Sequence, residues 1–593
     1  TYSGVISGNG TLTKIGIGTT TFTGLNTYSG ATTINAGRLT INGAITSDTT
    51  VNSGGILDGN GTITGNVTVN SGGTWAGGSS IGTLGITGNY TQAAGSFMEI
   101  EIQPAANPTT PGVDNDLVDV TGNVTLNGGT VNVKGAAGTY TPGSEYVFLQ
   151  HTGTRTGLFA GITDDLAFLD ASLLYNAGNV SFVLQGSIIP VTFVSQAATP
   201  NQLAVAAYLD SIRSAATGDL KTVLDELMLL TDTDVRHAYD LISADFQGSL
   251  TQIGLLNTTQ LYSQLSNRLR PGLFADLDGL VLGTRPEFHA SPLQSISSID
   301  ENGQHVVRAQ NDYLDSSQEW SGWAFGYGLV GRVTSDRRLN HKTNGTMFGL
   351  ERFLDPGTLV GMYGNYSRAN LTNNNLRRAA HVDNYTGGAY LRQDDGFHYT
   401  LLSGAIGYDR YDTSRFIQFS AISRDARVDY EGFQYSMYLE RGMTIELEKI
   451  SLQPYLALQY IHHRQHRFTE FGAGALNLSV DATSTNSLRT MLGGRFAWQA
   501  PTRADRMTII PELRAAWAHE YLDTSNTVGA QFDTTGGAGF IVTGADLGDD
   551  WALLGTGLKL QANKQITLFT DYNAQLNDRQ VTHTGSGGFE VQW

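Results

Sequence analysis

The 593-residue chain has no cysteine. That excludes a disulfide framework and any cysteine-ligated zinc site, and it does not prove a reducing compartment. Charge is scarce, at 15% of residues, and its balance is acidic, with a formal net charge of -18 and a pI near 5.0. A nucleic-acid binder needs a basic footprint, so no nucleic-acid partner is expected. No apolar run reaches the roughly 18 residues of a membrane-spanning helix, which leaves open a barrel, whose strands carry only a weak alternating signal. The first hundred residues lack proline. Thr1 stands where a signal peptide is absent and a repeat is already under way, so a processed or truncated chain is expected.

What is abundant is glycine, with 72 residues, together with Thr and Asn near the start. Short β-prone runs alternate there with Gly/Asn turns: Thr21-Phe22-Thr23, Thr32-Thr33-Ile34, Arg38-Leu39-Thr40-Ile41 and Asn66-Val67-Thr68-Val69. Each run has the length of one solenoid edge, which suggests a parallel β-helix with Leu, Ile and Val inside and Thr and Asn outside or in corner ladders. A Gly/Ser/Thr linker is disfavoured because the apolar residues recur in register. The stretch from Gly10 through Thr21-Phe22-Thr23-Gly24 to Arg38-Leu39 resembles the autotransporter-associated β-strand repeat of type V secretion passengers. The resemblance implies a structural passenger, right-handed and running over residues 1–190, with rungs such as Val124-Thr125-Leu126 near its end acting as a folding cap.

Composition changes after Thr199-Pro200. Leu220, Val223, Leu224 and Leu227 fall on one helical face, Phe246, Leu250 and Ile253 continue such a face, and Leu261, Leu265 and Leu269 form another. Arg268 and Arg270 suit the negative end of a helix and Pro271 stops it. Residues 191–318 therefore read as a helical linker, with 272–318 as loop or disorder. Amphipathicity cannot say what a helix packs against, so a soluble hairpin and a pore-threading helix both stand.

From about residue 319 the period becomes two. Val360, Met362 and Tyr366 alternate with Gly361, Tyr363 and Asn365, and Leu452, Leu456, Leu458 and Tyr460 alternate with Gln453, Ala457 and Gln459. Trp323, Phe325, Tyr327 and Leu329 alternate with Ala324, Gly326 and Gly328. The polar partners include charges, which a soluble sandwich would not bury unpaired, so they are expected to face a wet lumen. The chain closes on Phe589-Glu590-Val591-Gln592-Trp593, again alternating. Residues 319–593 leave room for roughly 12 strands. Trp320-Ser321-Gly322-Trp323-Ala324, Leu452-Gln453-Pro454-Tyr455 and Ile510 to Glu520 are similar to the autotransporter β-domain. That resemblance implies a 12-stranded antiparallel transmembrane barrel of a Gram-negative outer membrane, and an all-β-dominated chain that secretes and anchors its own adhesin-like or stalk-like passenger. It also implies that Phe589, Val591 and Trp593 form the signal read by the barrel-assembly machinery. The implied partners are outer-membrane lipid, periplasmic chaperones and a host or neighbouring-cell surface ligand. A surface esterase or protease with its catalytic head upstream, and a structural surface protein, are the alternatives.

Candidate chemistry is sparse. Gly78-Ser79-Ser80-Ile81-Gly82 fits G-x-S-x-G but lacks the following helix of a nucleophile elbow, so it reads as a solenoid corner. His462, His463 and His466 lie just past a predicted strand without the helical context of a zinc enzyme, and Asp114, Asp116 and Asp119 lack EF-hand spacing. No catalytic residue, metal or cofactor is expected. Arg495, Glu512 and Arg514 are expected to face the lumen, as a charge network or simply solvated.

Overall fold

The computed structural model of the chain describes residues 1–78, 80–105, 107–186, 191–271, 297–299, 305–307, 320–334, 339–355, 357–447, 449–500, 508–533, 539–562 and 565–592. It divides into two compact units, residues 1–240 with 418–423, and residues 241–417 with 424–593.

In the first unit, short strands stack as coils into three seven-stranded sheets. Pairing from coil to coil is parallel: Ile34 lies beside Val51, Val51 beside Val69, and Leu39 beside Leu57. Successive side chains of a strand point to opposite faces. The apolar ones go inward, and Ile34, Leu39, Val51, Leu57, Ile63 and Val69 are completely buried. The outward position of one sheet is threonine in coil after coil, with Thr13, Thr33, Thr50, Thr68, Thr91, Thr125 and Thr156 stacked in register. Asparagines form a corner ladder: Asn52 Nδ2 donates to Asn35 Oδ1 at 2.7 Å, and Asn70 Nδ2 to Asn52 Oδ1 at 2.8 Å. The expected parallel β-helix with corner ladders is therefore present. Its last sheet turns antiparallel, as Leu169–Tyr175 and Asn179–Gly186 add to Glu145–His151, with Tyr146 stacked on Phe182 at 5.4 Å. A solenoid end is otherwise an open sheet edge, and this hairpin covers part of it.

Helices α1 (Pro200–Arg213), α2 (Gly218–Leu227) and α3 (Asp232–Ile242) follow. Thr199 caps α1, accepting from the Gln202 amide at 3.3 Å, and Pro200 occupies its first turn, where no N–H is missed. Leu220, Val223, Leu224 and Leu227 are the buried face of α2, as their spacing indicated.

The second unit holds α4 (Asp245–Leu269) and twelve long strands: β1 Trp320–Val333, β2 Leu339–Asp355, β3 Thr358–Asn373, β4 Arg378–Asp394, β5 His398–Phe419, β6 Ile422–Met443, β7 Ile450–Gln465, β8 Thr483–Trp498, β9 Thr508–Glu520, β10 Asp550–Gln561, β11 Ile566–Leu576 and β12 Gln580–Gln592. Neighbours pair antiparallel, and β12 returns to β1, with Gln592 opposite Ser321 and Gln580 opposite Val333, so the sheet is a closed barrel. Closure abolishes the edges that an open sheet would expose. Connections at the end where β12 finishes are short where described. Two at the other end carry a separate four-stranded sheet: Phe468–Thr469, Leu478–Val480, Thr527–Phe532 and Phe540–Thr543.

On β3 to β11 the alternation sorts as the sequence indicates. Met362, Ile406, Met437, Leu456 and Leu458 are exposed on the outside, while Asn365, Gln453, Ala457 and Gln459 are buried inside. One outward ring per strand forms a belt on β3 to β6, with centroids of Tyr366–Tyr385 5.2 Å apart, Tyr385–Tyr408 6.4 Å and Tyr408–Phe433 5.3 Å. Aromatic belts of this kind mark a membrane–water interface. Strand β1 departs from the expectation. Its Trp323, Phe325 and Leu329 are buried, and glycines and Ala324 hold the outward positions. Trp323 lies under the Arg268 guanidinium near the end of α4, and Phe325 packs on Trp323 and on Phe569 of β11, so the apolar face is the inner one here. Residues 297–299 and 305–307, expected within a loop, pair as antiparallel strands; the rest of 272–318 lies outside the described residues. No helix among the described residues is long and apolar enough to cross a membrane.

Candidate functional site: the occupied lumen of the barrel

Helix α4 runs inside the barrel, buried around its whole circumference although Gln, Ser, Thr and Asn make up much of it. Phe246, Leu250, Ile253, Leu261, Leu265 and Leu269, which the sequence assigns to two faces, all belong to this one helix and are all buried. Polar side chains survive burial only with partners, and the wall supplies them. Thr258 Oγ1 donates to Gln434 Oε1 at 2.7 Å, Gln459 Nε2 to Thr259 Oγ1 at 3.1 Å, and the Tyr262 hydroxyl and Ser436 Oγ are 2.9 Å apart.

Both ends of the helix are held by charge. At the start, Arg378 of β4 donates to Asp245 at 2.9 Å and to the Ser243 carbonyl at 3.3 Å. A carboxylate in the first turn also suits the helix dipole. Close by, Arg415 donates to the Leu241 carbonyl at 2.7 Å and to Glu470 at 2.6 Å. At the finish, Arg268 forks onto Glu351 at 2.7 and 2.6 Å, lies 3.2 Å from Glu590, and sits 4.6 Å from the Trp323 ring. Arg270 forks onto Glu440 at 2.7 Å through both nitrogens and covers Tyr455 at 4.0 Å. The Tyr399 hydroxyl donates to Glu440 at 2.8 Å. Two bidentate arginine pairs, buried and with further hydroxyl donors on both carboxylates, fix register as well as energy. At the other end backbone meets backbone: a Cβ on Gly544 would lie 2.5 Å from the Gly248 carbonyl carbon, so only glycine permits this approach.

Arg495, Glu512 and Arg514 stand on the inner wall, joined to one another. Arg495 donates to Glu512 at 2.7 Å and to Gln453 at 2.9 Å, while Arg514 contacts Glu512 and lies 2.7 Å from Asp571. All three are buried on that inner face, and of the two arrangements expected there the residues form the charge network, each charge neutralising the next. Phe589 is exposed on the outer face of β12, Val591 is on the same face, and Glu590 points inward to Arg268. Trp593 lies outside the described residues.

The remaining candidates do not converge. His462 and His463 lie within β7, not beyond it. His462 meets Asn486 at 2.8 Å, His463 is buried against Tyr411 at 2.9 Å on the opposite face, and His466 lies beside the Phe433 ring, with centroids 5.5 Å apart. Asp114 accepts from the Thr110 amide at 2.9 Å and Asp119 is exposed. Asp116 is completely buried and accepts from the amides of Glu101 at 2.7 Å and Gly82 at 3.1 Å. Burial pushes its carboxyl up to about 7, against those two donors. Asp116 thus organises the corner that contains Gly78, Ser80 and Gly82; Ser79 lies outside the described residues. Glu351, Glu440, Arg378 and Arg415 escaped the sequence reading; the available signal was a charge at inward parity within an alternating strand.

A family model described as the autotransporter beta-domain matches residues 322–573, and the passenger-associated-transport-repeat matches residues 12–41. The chain is 24% identical over 607 residues to an extracellular serine protease of Serratia marcescens, covering 99% of this chain and 56% of the relative. It is 39% identical over 169 residues to the adhesin BmaC autotransporter of Brucella suis, covering 26% of this chain and 5% of that protein. The chain thus spans about half the length of the serine protease it matches. Among solved structures, the translocator domain of NalP from Neisseria meningitidis aligns at 15% identity and a TM-score of 0.38, covering 47% of this chain and 90% of that one. The transport unit of AIDA-I from Escherichia coli aligns at 14% and 0.34, covering 50% and 95%.

Proposed function

The chain belongs to the autotransporter family, and from that premise we propose that its barrel secretes the chain's own β-helix and then holds it at the cell surface with α4 as the stopper. The barrel resides in the outer membrane of a Gram-negative bacterium with the passenger exported to the surface. The outer membrane offers no nucleotide, so passenger folding outside and barrel assembly give the process direction. Residues 1–190 are the passenger, 191–318 the linker and 319–593 the translocator. One observation carries the reading: the linker continues as α4 through the lumen, latched at Arg268 and Arg270. A latched helix ties a folded surface module to the membrane. The passenger acts as an adhesin-like stalk, whose stacked coils present long repeated faces for weak multivalent contacts.

The test is surface display in a Gram-negative host. Protease added to intact cells should remove the passenger and leave the barrel in the membrane fraction, and cells displaying the chain should bind surfaces or each other more than cells displaying the barrel alone. Passenger retained in the periplasm would refute secretion; equal binding would refute the adhesive role. A second reading, a surface-anchored hydrolase, is favoured by the serine-protease relatives, of whose length only 56% is aligned. Peptide or ester hydrolysis by the purified chain that vanishes in Ser80→Ala would establish it.

A further inference from the structure

One face of the β-helix repeats itself from coil to coil. Asn66-Val67-Thr68-Val69-Asn70 and Asn123-Val124-Thr125-Leu126-Asn127 share one pattern, and Asp48-Thr49-Thr50-Val51-Asn52 departs from it at the outward positions only in Asp48. Val67, Val69, Val124 and Leu126 are buried, so the residues between them point outward. Threonines fill the middle column, and asparagines flank it. On one side the Asn66 N–H donates to Asp48 Oδ1 at 2.7 Å, the Asn89 N–H to Asn66 Oδ1 at 2.9 Å and the Asn123 N–H to Asn89 Oδ1 at 2.9 Å. The ladder of Asn35, Asn52 and Asn70 is the other side. The hydroxyls of Thr50, Thr68, Thr91 and Thr125 have no hydrogen-bond partner among the described residues. Strand propensity does not explain this uniformity. Threonine suits any outward strand position, yet the equivalent row of a second sheet runs Arg38, Ile56, Thr74, Phe97, and that of the third runs Ala44, Thr62, Gly85, Asp119.

Charge, chemistry and area narrow what this face can hold. Asp48 is the single charge on its three columns, so a charged polymer finds no counter-charge there. From Asp48 to Asn127 the columns carry no ring and no large apolar side chain, the anchors that a protein interface needs. Coils about 4.8 Å apart and alternate residues about 7 Å apart make a strip of roughly 30 by 13 Å along the threonine ladder, near 400 Å². That is about half of what one partner buries in a stable protein interface. An exposed hydroxyl gains little by exchanging water for one partner, so useful affinity needs a ligand that repeats with the coils and makes many such contacts at once. We propose that, in the adhesive role proposed for the passenger, this face binds an extended neutral polysaccharide lying along the stack. Its hydroxyls pair with threonine hydroxyls and asparagine amides coil by coil. A sugar unit of such a chain and one coil advance by similar lengths, so the match persists over several coils.

The test uses the full chain in detergent, mixed with cellulose and β-mannan, which are extended and neutral, and with heparin, which is anionic. Retention on a neutral polymer and not on heparin is expected. Thr50→Val with Thr68→Val and Thr91→Val removes three hydroxyls and keeps the β-branching that suits a strand. It should weaken retention at least tenfold while the unfolding transition of the passenger stays in place. Thr68→Arg stands a long side chain in the middle of the strip and should do the same, and it decides the matter if the triple variant fails to fold. Thr74→Val with Thr130→Val, on a neighbouring sheet, should bind as the unaltered chain does. No retention on either neutral polymer, equal retention on heparin, or equal loss from both sheets overturns the proposal. Cells that adhere to other surfaces but to neither polymer would overturn it and leave the adhesive role standing. Self-association that Thr68→Arg abolishes, without polysaccharide binding, would overturn it in favour of a second copy of the chain.

Discussion

The two interiors of this molecule obey one rule and have opposite chemistry. In the β-helix, Ile34, Val51 and Val69 point inward and the threonine ladder points out. On β7, Leu456 and Leu458 point outward while Gln453 and Gln459 point in. Both regions alternate with a period of two, because the pleat fixes it. What differs is the medium on each side. A solenoid in water must bury its apolar rank against the next coil, whereas a barrel in lipid turns that rank outward and must then find partners for a polar inside. In this protein α4 is the main partner, and the arginine pairs at its ends show how much of the polar interior is specific.

The sharpest way to break the comparison is to leave an unpaired charge in each interior. Leu57→Asp places a carboxylate in the fully buried core of the β-helix, which should cost several kcal/mol and abolish the cooperative unfolding transition of the passenger while leaving barrel heat-modifiability intact. Glu440→Ala leaves Arg270 buried without its carboxylate and should cost about 3–5 kcal/mol, read as a lower urea midpoint of the folded barrel in detergent. Replacing both members, Glu440→Leu with Arg270→Met, should recover most of it, since a matched apolar pair avoids the desolvation cost.

Asp116 sharpens the contrast by pH. Its folded pKa, near 7, lies above the ordinary carboxyl value, so the folded passenger keeps a proton that the unfolded chain has lost between about pH 4 and 7. Stability from this group is full below that window and falls as pH rises through it, by at most about 4 kcal/mol. Denaturant melts of the passenger should follow that slope, and Asp116→Asn should flatten it. Gly544→Val, which pushes a side chain into the backbone of α4 at Gly248, should destabilise the barrel unit by about 1–3 kcal/mol. Lys221→Ala removes an exposed i,i+4 pair with Asp225 and should change thermal stability by no more than about 0.5 kcal/mol.

Legibility followed the same division. The coils could be read because Ile34, Val67 and Leu39 recur beside Gly/Asn turns, and the barrel because residues such as Leu452 to Tyr460 alternate over a whole strand. The face of α2 could be read at Leu220, Val223, Leu224 and Leu227. The role of α4 was hidden, because a helix buried on every side carries no polar face to mark its exterior: Leu250, Gln260 and Thr258 are equally enclosed. Strand β1 misled because its Trp323 and Phe325 pack inward, Trp323 under Arg268 of α4 and Phe325 against Phe569 of the wall. The partners of Arg268 and Arg270 depend on strands 83 and 170 residues away, and that register emerges only when the barrel closes.

The central claim is that α4 occupies the lumen. Asn257 and Thr343 test it most directly, since Thr343 Oγ1 donates to Asn257 Oδ1 at 3.0 Å from the inner face of β2. In this cysteine-free chain, Asn257→Cys with Thr343→Cys should be joined within one molecule by a short bifunctional thiol reagent. Asn257→Cys with Phe348→Cys, which points outward from the same strand, should not. Cross-linking of the first pair alone is the expected result. Failure of the first pair, or equal yield from both, would contradict a helix inside the barrel.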